Sequence, residues 1–74
     1  MEQFLQFVAN VFDVPVSELS PDTQYNSIPQ WDSVMQLRLV MEIESEYGVS
    51  IPIDAVAELD TLQKFFDQIK GSQE

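Results

Sequence analysis

Prolines interrupt the first half of the chain, at Pro15, Pro21 and Pro29. Proline lacks a backbone N–H and clashes with the preceding helical turn, so no helix of ordinary length fits between residues 13 and 32. Apolar side chains nevertheless occur along this stretch: Val14, Val16, Leu19, Tyr25, Ile28 and Trp31. We therefore expect a long loop that packs along the domain instead of extending into water.

Helical patterns flank this loop. Apolar residues recur at helical spacing over residues 2–12, which predicts a first helix there. Residues 33–47 form the second and longest predicted helix, which Gly48 can end in the left-handed conformation. Ser33 followed three residues later by Gln36 fits a capping box at the start of this helix.

Two shorter elements follow the second helix. Residues 49–52 are predicted to be an extended connector, because the residue before a proline avoids the helical region. Asp54 can then cap a helix of one or two turns that continues to about Leu59. Asp60 followed by Gln63 indicates the start of the last helix.

The last helix is expected to end near Ile69, and residues 71–74 are expected to fray. Phe65, Phe66 and Ile69 recur at helical spacing, which is typical of a core face. The chain is too short for more than one domain. The predicted fold is therefore a single all-α domain over residues 1–74, a small four-helix bundle with a short third helix and a long loop between helices one and two.

Charge and composition exclude several classes of function. Thirteen acidic residues face three basic ones, a net charge of −10 at pH 7, so the surface would repel the phosphate backbone of nucleic acid. The chain has no cysteine and no histidine, which excludes disulfides and thiolate or imidazole metal ligands. It also lacks the usual general base of enzymes. No apolar run approaches the length of a membrane span, and the opening Met-Glu-Gln-Phe lacks the basic region of a signal peptide. We expect a soluble, cytoplasmic protein without a metal site.

The second helix carries two apolar faces. The first face, toward the expected core, comprises Leu39, Val40, Ile43 and Tyr47. The second face, here called the outer strip, comprises Val34, Leu37 and Met41, which lie within roughly 60° of one another on the opposite side. Charged residues border the outer strip: Arg38, Glu42 and Glu44. The long loop could cover the strip, or the strip could be a surface on which a partner docks.

Ser33 lies next to the outer strip, where the backbone N–H groups of a helix point outward without partners. Three roles are open to it. It could be an N-cap only, as serine often is. It could be a nucleophile, although the chain has no histidine to act as its base. It could also be a substrate whose hydroxyl another enzyme esterifies with a phosphate group, which the positive end of the helix dipole would favour.

The residues around Ser33 resemble the acyl carrier protein family. Asp-Ser-Val at 32–34, opening a long helix, is similar to the Asp-Ser-Leu motif of that family. The stretch 39–52 resembles the hydrophobic and acidic second helix of the family and the aromatic-Gly-aliphatic-x-Ile-Pro turn that ends it. Residues 12–15 and 19–23 are similar to the end of its first helix and the start of its long loop. The resemblance covers most of the chain and implies a carrier, not an enzyme.

The resemblance also implies a cofactor and partners. Ser33 would receive 4′-phosphopantetheine from coenzyme A, installed by a phosphopantetheinyl transferase with magnesium, and Asp32 would help to orient the metal and cofactor of the transferase. The thiol of this group would hold an acyl cargo as a thioester and present it to loading and elongating enzymes. Leu37, Met41 and Glu44 match the partner-contact face of the family. We expect a monomer that meets these enzymes through the outer strip and its charged border.

Some residues depart from the family pattern. Arg38 stands where many fatty-acid-type carriers have an acidic residue, which reverses one charge on the recognition face. Val34 is shorter than the usual leucine, and Trp31 either anchors the loop or borders the cofactor arm. Two alternatives therefore stay open. The chain could carry aminoacyl or peptidyl groups in place of acyl chains, or it could be an acidic helical adaptor that binds a partner without any prosthetic group.

Overall fold

The fold is an all-α bundle, as the sequence predicts. A computed structural model describes residues 1–73, with side chains up to residue 71. The helices are α1 (Glu2–Phe12), α2 (Ser33–Tyr47), the one-turn α3 (Ile53–Val56) and α4 (Leu62–Gln73). Within residues 1–73 the β-type pairing is limited to one isolated antiparallel bridge, between Gln24 and Thr61. The predicted short third helix and the long loop between α1 and α2 are both confirmed.

The first two helices begin and end where the sequence predicts. Gly48 ends α2 in the left-handed conformation, with φ 65°, and its N–H donates to the Glu44 carbonyl. Asp13 ends α1 in the same conformation, with φ 59°, before the prolines of the loop begin. The regular spacing of apolar residues and a clear stop signal explain why these bounds could be predicted.

The bounds of the last two helices differ from prediction. The short helix α3 starts one residue before Asp54, directly after Pro52, so Asp54 lies in its first turn and is not its cap. In α4 the capping oxygen is Thr61 Oγ1, which accepts from the Lys64 N–H at 3.2 Å, and not a group of Asp60. Asp60 instead pairs with the Lys64 ammonium group at 2.7 Å.

The predicted end of α4 near Ile69 is also wrong, because the helix continues to Gln73. A glycine inside a helix costs only about 1 kcal/mol, so Gly71 does not stop it. In the last turn, the Lys70 ammonium group lies 5.5 Å from the centre of the Phe66 ring and stabilises this end of the helix. The predicted fraying falls in part on Glu74, which lies outside the described residues, and it stays a prediction.

Trp31 lies at the centre of the core and is fully buried. Its ring centre is 5.5 Å from that of Phe12, 5.9 Å from that of Tyr25 and 6.2 Å from that of Phe65. The three long helices α1, α2 and α4 supply further core residues, with these members fully or almost fully buried: Phe4, Val8, Leu39, Ile43, Leu62 and Ile69. The tryptophan of the long loop therefore joins α1, α4 and the start of α2.

Most of the predicted loop anchors are confirmed. Val14, Leu19 and Trp31 are buried, and Ile28 is half-buried. Val16 is exposed, contrary to expectation, because it begins a short 3-10 turn (Val16–Glu18) that has no buried residue. Tyr25 is likewise exposed, although the edge of its ring packs against Trp31.

Backbone hydrogen bonds attach the long loop to the start of α4. The Tyr25 N–H donates to the Asp60 carbonyl at 2.8 Å, and the Leu62 N–H donates to the Thr23 carbonyl at 3.3 Å. The Gln63 N–H donates to the Pro21 carbonyl at 2.9 Å. These bonds bring Tyr25 and Asp60 to the end of the bundle where α2 begins.

None of the helices within residues 1–73 is long and apolar enough to cross a membrane.

Candidate functional site

Asp32 is the N-cap of α2. Its backbone is extended, with φ −109° and ψ −171°, and its Oδ1 accepts a hydrogen bond from the Met35 N–H at 2.8 Å. The predicted capping box of Ser33 and Gln36 is therefore wrong. The carboxylate makes a charge-assisted hydrogen bond, which is stronger than one to a hydroxyl, and the Gln36 side chain lies in the core instead of returning to the helix start.

Ser33 is consequently the first helical residue, and it is exposed. Because Asp32 supplies the cap, the Ser33 hydroxyl makes no hydrogen bond with another described residue. Among the described residues, the backbone N–H groups of Ser33 and Val34 have no backbone acceptor either, as expected for a first helical turn. The start of α2 thus presents a free hydroxyl beside two free donors, at the positive end of the helix dipole.

Gln36 lies one turn further along α2 and is buried. Its Nε2 donates to the Val56 carbonyl at 3.2 Å and to the Leu59 carbonyl at 3.1 Å. Its Oε1 accepts from the Trp31 indole N–H at 2.6 Å. This set of three hydrogen bonds, here called the Gln36 bridge, links the long loop, α2 and the segment that contains α3. Of the two predicted roles for Trp31, loop anchor is therefore the one that the structure supports.

A groove of about 390 Å³ opens beside Ser33. Its lining is formed by Tyr25, Ser33, Gln36, Leu37, Val56, Ala57, Leu59 and Asp60. A larger and more open depression of about 720 Å³ lies along the α3–α4 connection and α4, but neither Ser33 nor any other residue of α2 lines it. The smaller groove is the relevant one, because it contains the free hydroxyl.

Asp60 lies where the two depressions meet. The hydrogen bond from the Lys64 ammonium group holds the pKa of the Asp60 carboxyl below its usual value. Asp60 is thus a carboxylate at neutral pH. Within residues 1–73, no group of three or more acidic side chains is arranged to hold a metal ion.

The outer strip is open to solvent. Val34 is 76% exposed, Leu37 57% and Met41 65%. The long loop is attached to α4 and does not cover these residues, so the interpretation in which the loop hides the strip is wrong. The opposite face of α2 is buried at Leu39, Val40 and Ile43, and Tyr47 is half-buried. The two predicted faces are therefore both present.

The charged border of the strip has two kinds of members. Arg38 and Glu42 are exposed, and their side chains make no ion pair with a described residue. Glu44 is half-buried, and its Oε2 accepts from the Ile51 N–H at 2.8 Å. Glu44 therefore holds the connector between α2 and α3 against α2, a structural role that the sequence did not suggest.

Two features of this region were missed from the sequence. Gln36 is separated from Leu39, Val40 and Ile43 by three, four and seven residues, so helical spacing alone could have placed it on the core face. Ile53 is 82% exposed and lies two residues after Ile51, the residue that Glu44 holds. Nothing in the sequence marked Ile53 as an exposed residue.

Comparisons with known proteins agree on one family. The family profile described as a phosphopantetheine attachment site matches residues 2–69. The chain is 30% identical to polyketide-8 synthase acyl carrier protein 2 of Streptomyces avermitilis, over 89% of this chain and 76% of that protein. It is 32% identical to an acyl carrier protein of Micrococcus luteus, over 77% and 70% of the two chains. It is 29% identical to an acyl carrier protein of Thermosynechococcus vestitus, over 96% and 88%.

The residues at the start of α2 fit the prosthetic group of such proteins. Ser33 offers an accessible hydroxyl, the first helical turn offers free N–H donors for a phosphate, and a groove begins at the same residue. The cofactor is 4′-phosphopantetheine, and the protein is a carrier, not a catalyst. The chain belongs to the acyl carrier protein family.

Proposed function

We propose that Ser33 is the attachment residue for 4′-phosphopantetheine. We further propose that the protein acts as a cytoplasmic monomer that carries acyl intermediates between enzymes of fatty acid, polyketide or related specialised biosynthesis. The single observation that carries the proposal is the free hydroxyl of Ser33 at the first position of α2. Asp32 satisfies the helix end, so Ser33 can be modified without loss of the cap.

Electrostatics at this position favour the modification. A phosphate ester on Ser33 would lie at the positive end of the α2 dipole, next to the free N–H groups of Ser33 and Val34. The thiol that the prosthetic group supplies would hold the acyl cargo as a thioester. The chain itself has no cysteine, so this thiol comes from the cofactor alone.

Partner enzymes are proposed to dock on the outer strip of Val34, Leu37 and Met41. The exposed fractions of these side chains leave apolar area for a partner to bury. Arg38, Glu42 and Glu44 border the strip, and the net charge of −10 would steer basic partner surfaces toward it. Because Arg38 and Glu42 are exposed to solvent, we expect modest affinities that weaken with salt.

Asp32 is proposed to have a second role in the encounter with the phosphopantetheinyl transferase. Its Oδ1 is used in the cap, but the residue is exposed beside Ser33. A carboxylate in this place can orient the metal ion and the coenzyme A of the transferase. The choice of acyl cargo over aminoacyl cargo rests on the relatives, which are named acyl carrier proteins.

A loading reaction tests the proposal. The purified apo protein is incubated with coenzyme A, magnesium and a promiscuous phosphopantetheinyl transferase, and its intact mass is measured. We expect the addition of one phosphopantetheine group to the wild type and none to Ser33→Ala. Ser45→Ala, which changes another exposed serine of α2, is the matched control and should be modified like the wild type.

Absence of an adduct with several transferases, or a modified Ser33→Ala protein, would contradict the proposal. An unmodified protein whose partner binding depends on Met41 but not on Ser33 would indicate the adaptor alternative. Acceptance of aminoacyl groups from an adenylating enzyme, with no acceptance of acyl chains, would indicate the aminoacyl carrier alternative.

A further inference from the structure

The Gln36 bridge satisfies every hydrogen-bonding group of a buried amide. The Gln36 Nε2 group donates one hydrogen bond to the Val56 carbonyl and one to the Leu59 carbonyl. Its Oε1 accepts from the Trp31 indole N–H. No buried side-chain polar atom of the described residues lacks a partner. Fully satisfied buried networks of this kind are rigid, because each bond is strengthened by the low polarity around it.

The bridge forms the inner wall of the groove beside Ser33. Gln36, Val56 and Leu59, the three residues that it joins across the gap between α2 and the α3 segment, all line that groove. Trp31 lies directly behind Gln36 and is fully buried against Phe12 and Phe65. A chain that enters the core from this groove would have to pass through the bridge.

Opening the bridge would be unfavourable for an aliphatic chain. Separation of α2 from residues 56–59 would leave the amide NH2 group of Gln36 and the carbonyls of Val56 and Leu59 without partners. A methylene group offers none of them a hydrogen bond. The penalty of three buried unpaired groups exceeds the gain from burying the first few methylene groups of a chain.

We propose that the Gln36 bridge closes the core of this carrier to its cargo. An acyl group on Ser33 stays in the surface groove, so short acyl groups are accommodated and the distal part of a long aliphatic chain stays in water. The protein thereby suits short acyl cargo. This inference rests on the proposed function, since it requires an acyl group carried on Ser33.

The test compares cargo of increasing length on the full chain. The transferase is supplied with acetyl-, octanoyl- or dodecanoyl-coenzyme A, so that each group is installed together with the prosthetic arm. Trp31 is the single tryptophan, so its indole N–H gives one resolved signal in a proton–nitrogen NMR spectrum. The melting temperature of each form is measured in parallel.

For the wild type we expect the indole signal at one position in all three loaded forms, and melting temperatures equal within error. A signal that moves progressively with chain length, or a melting temperature that rises with it, would overturn the inference. A protein that accepts no arm on Ser33 would overturn the proposed function and this inference together. The two failures are therefore distinguishable.

Variants test whether the bridge itself is the barrier. Gln36→Met keeps the size of the side chain and removes all three hydrogen bonds, so the melting temperature should now depend on chain length. Gln6→Met, at an exposed glutamine of α1, is the matched control and should behave like the wild type. If Gln36→Met does not fold, Gln36→Glu keeps an acceptor for the Trp31 indole N–H and lacks the Nε2 group that donates to the carbonyls of Val56 and Leu59. A folded bridge variant that shows no dependence on chain length would contradict the role of the bridge.

Discussion

The two apolar faces of α2 have similar side chains and opposite surroundings. Leu37 and Leu39 are two residues apart, about 200° around the helix, yet Leu39 is fully buried and Leu37 is 57% exposed. The core face belongs to the same buried cluster as aromatic side chains of α1, α4 and the long loop. The outer strip meets solvent, because the loop that might have covered it is attached to α4.

The core face of α2 stabilises the bundle, and the outer strip is the face that we propose for partner binding. Residues of the core face hold the bundle together, so their removal should unfold it. Residues of the outer strip add little to folding, so their exposure needs another explanation, and a partner surface provides one. Ser33 begins the same helix next to the strip, so a partner that docks on the strip also approaches the proposed attachment residue.

The largest expected effect contrasts Leu39→Ala with Leu37→Ala. Leu39→Ala should lower the free energy of unfolding by about 2–5 kcal/mol, because it leaves a cavity in the core. That is a large part of the roughly 4–11 kcal/mol expected for a domain of this size. Leu37→Ala should change it by less than about 0.5 kcal/mol. Urea denaturation of the two variants measures both values. Equal losses would contradict the assignment of Leu39 to the core and Leu37 to the exposed strip.

Met41→Glu should impair partner binding without impairing the fold. A charge in the middle of the outer strip should lower the kcat/KM of the phosphopantetheinyl transferase for this protein about tenfold, equivalent to about 1.4 kcal/mol. The melting temperature should hardly change, since Met41 is 65% exposed.

Gln6→Glu, which adds the same charge to an exposed position of α1, is the control and should be loaded at the wild-type rate. An unchanged kcat/KM for Met41→Glu would show that this transferase does not use the outer strip.

The pair Asp32→Ala and Ser33→Ala tests which of the two residues caps the start of α2. Asp32→Ala should lower the free energy of unfolding by about 1 kcal/mol, because the cap to the Met35 N–H is lost. Ser33→Ala should leave it nearly unchanged, since the hydroxyl makes no hydrogen bond with a described residue. Thermal unfolding measures both, and Asp32→Asn, which can still cap, is the control. A larger loss of unfolding free energy for Ser33→Ala than for Asp32→Ala would show that Ser33, and not Asp32, caps α2.

The smallest expected effect is at Tyr47, the half-buried end of the core face. Burial, with a smaller contribution from Glu46, raises the pKa of the Tyr47 phenol. The folded state therefore holds this proton more tightly than the unfolded state. The contribution to stability is complete below the unfolded pKa of about 10 and is lost as the pH rises through the folded pKa.

As the pH is raised into the alkaline range, the free energy of unfolding should therefore fall less for Tyr47→Phe than for the wild type. Urea denaturation at each pH measures this free energy. Tyr25→Phe, at an exposed tyrosine, is the matched control and should follow the wild type. Parallel pH profiles for the wild type and Tyr47→Phe would contradict the assignment.

Local patterns in the sequence predicted much of this molecule. The bounds of α1 and α2 follow from helical periodicity and from Gly48, and the two faces of α2 follow from the same periodicity. The family match agrees with the expectation, drawn from the missing histidine and cysteine, of a carrier and not an enzyme. The helix bounds and the two faces depend on residues close together in the chain, so the sequence is sufficient to predict them.

Features that depend on distant residues could not be predicted in the same way. Gln36 fitted a capping box with Ser33, but the buried Trp31 indole and two carbonyls of the α3 segment give its amide better partners. The exposure of Tyr25, which was expected to pack along the domain, likewise depends on how the loop is attached to α4. The groove beside Ser33 results from these long-range contacts, which no local pattern records.

Tandem mass spectrometry of the protein isolated from its own host shows whether Ser33 carries the prosthetic group. We expect 4′-phosphopantetheine, free or acylated, on the peptide that contains Ser33, with fragment ions that place it on that residue alone. A prosthetic group on any other residue, or a Ser33 that is unmodified in all of the recovered protein, would contradict the proposal.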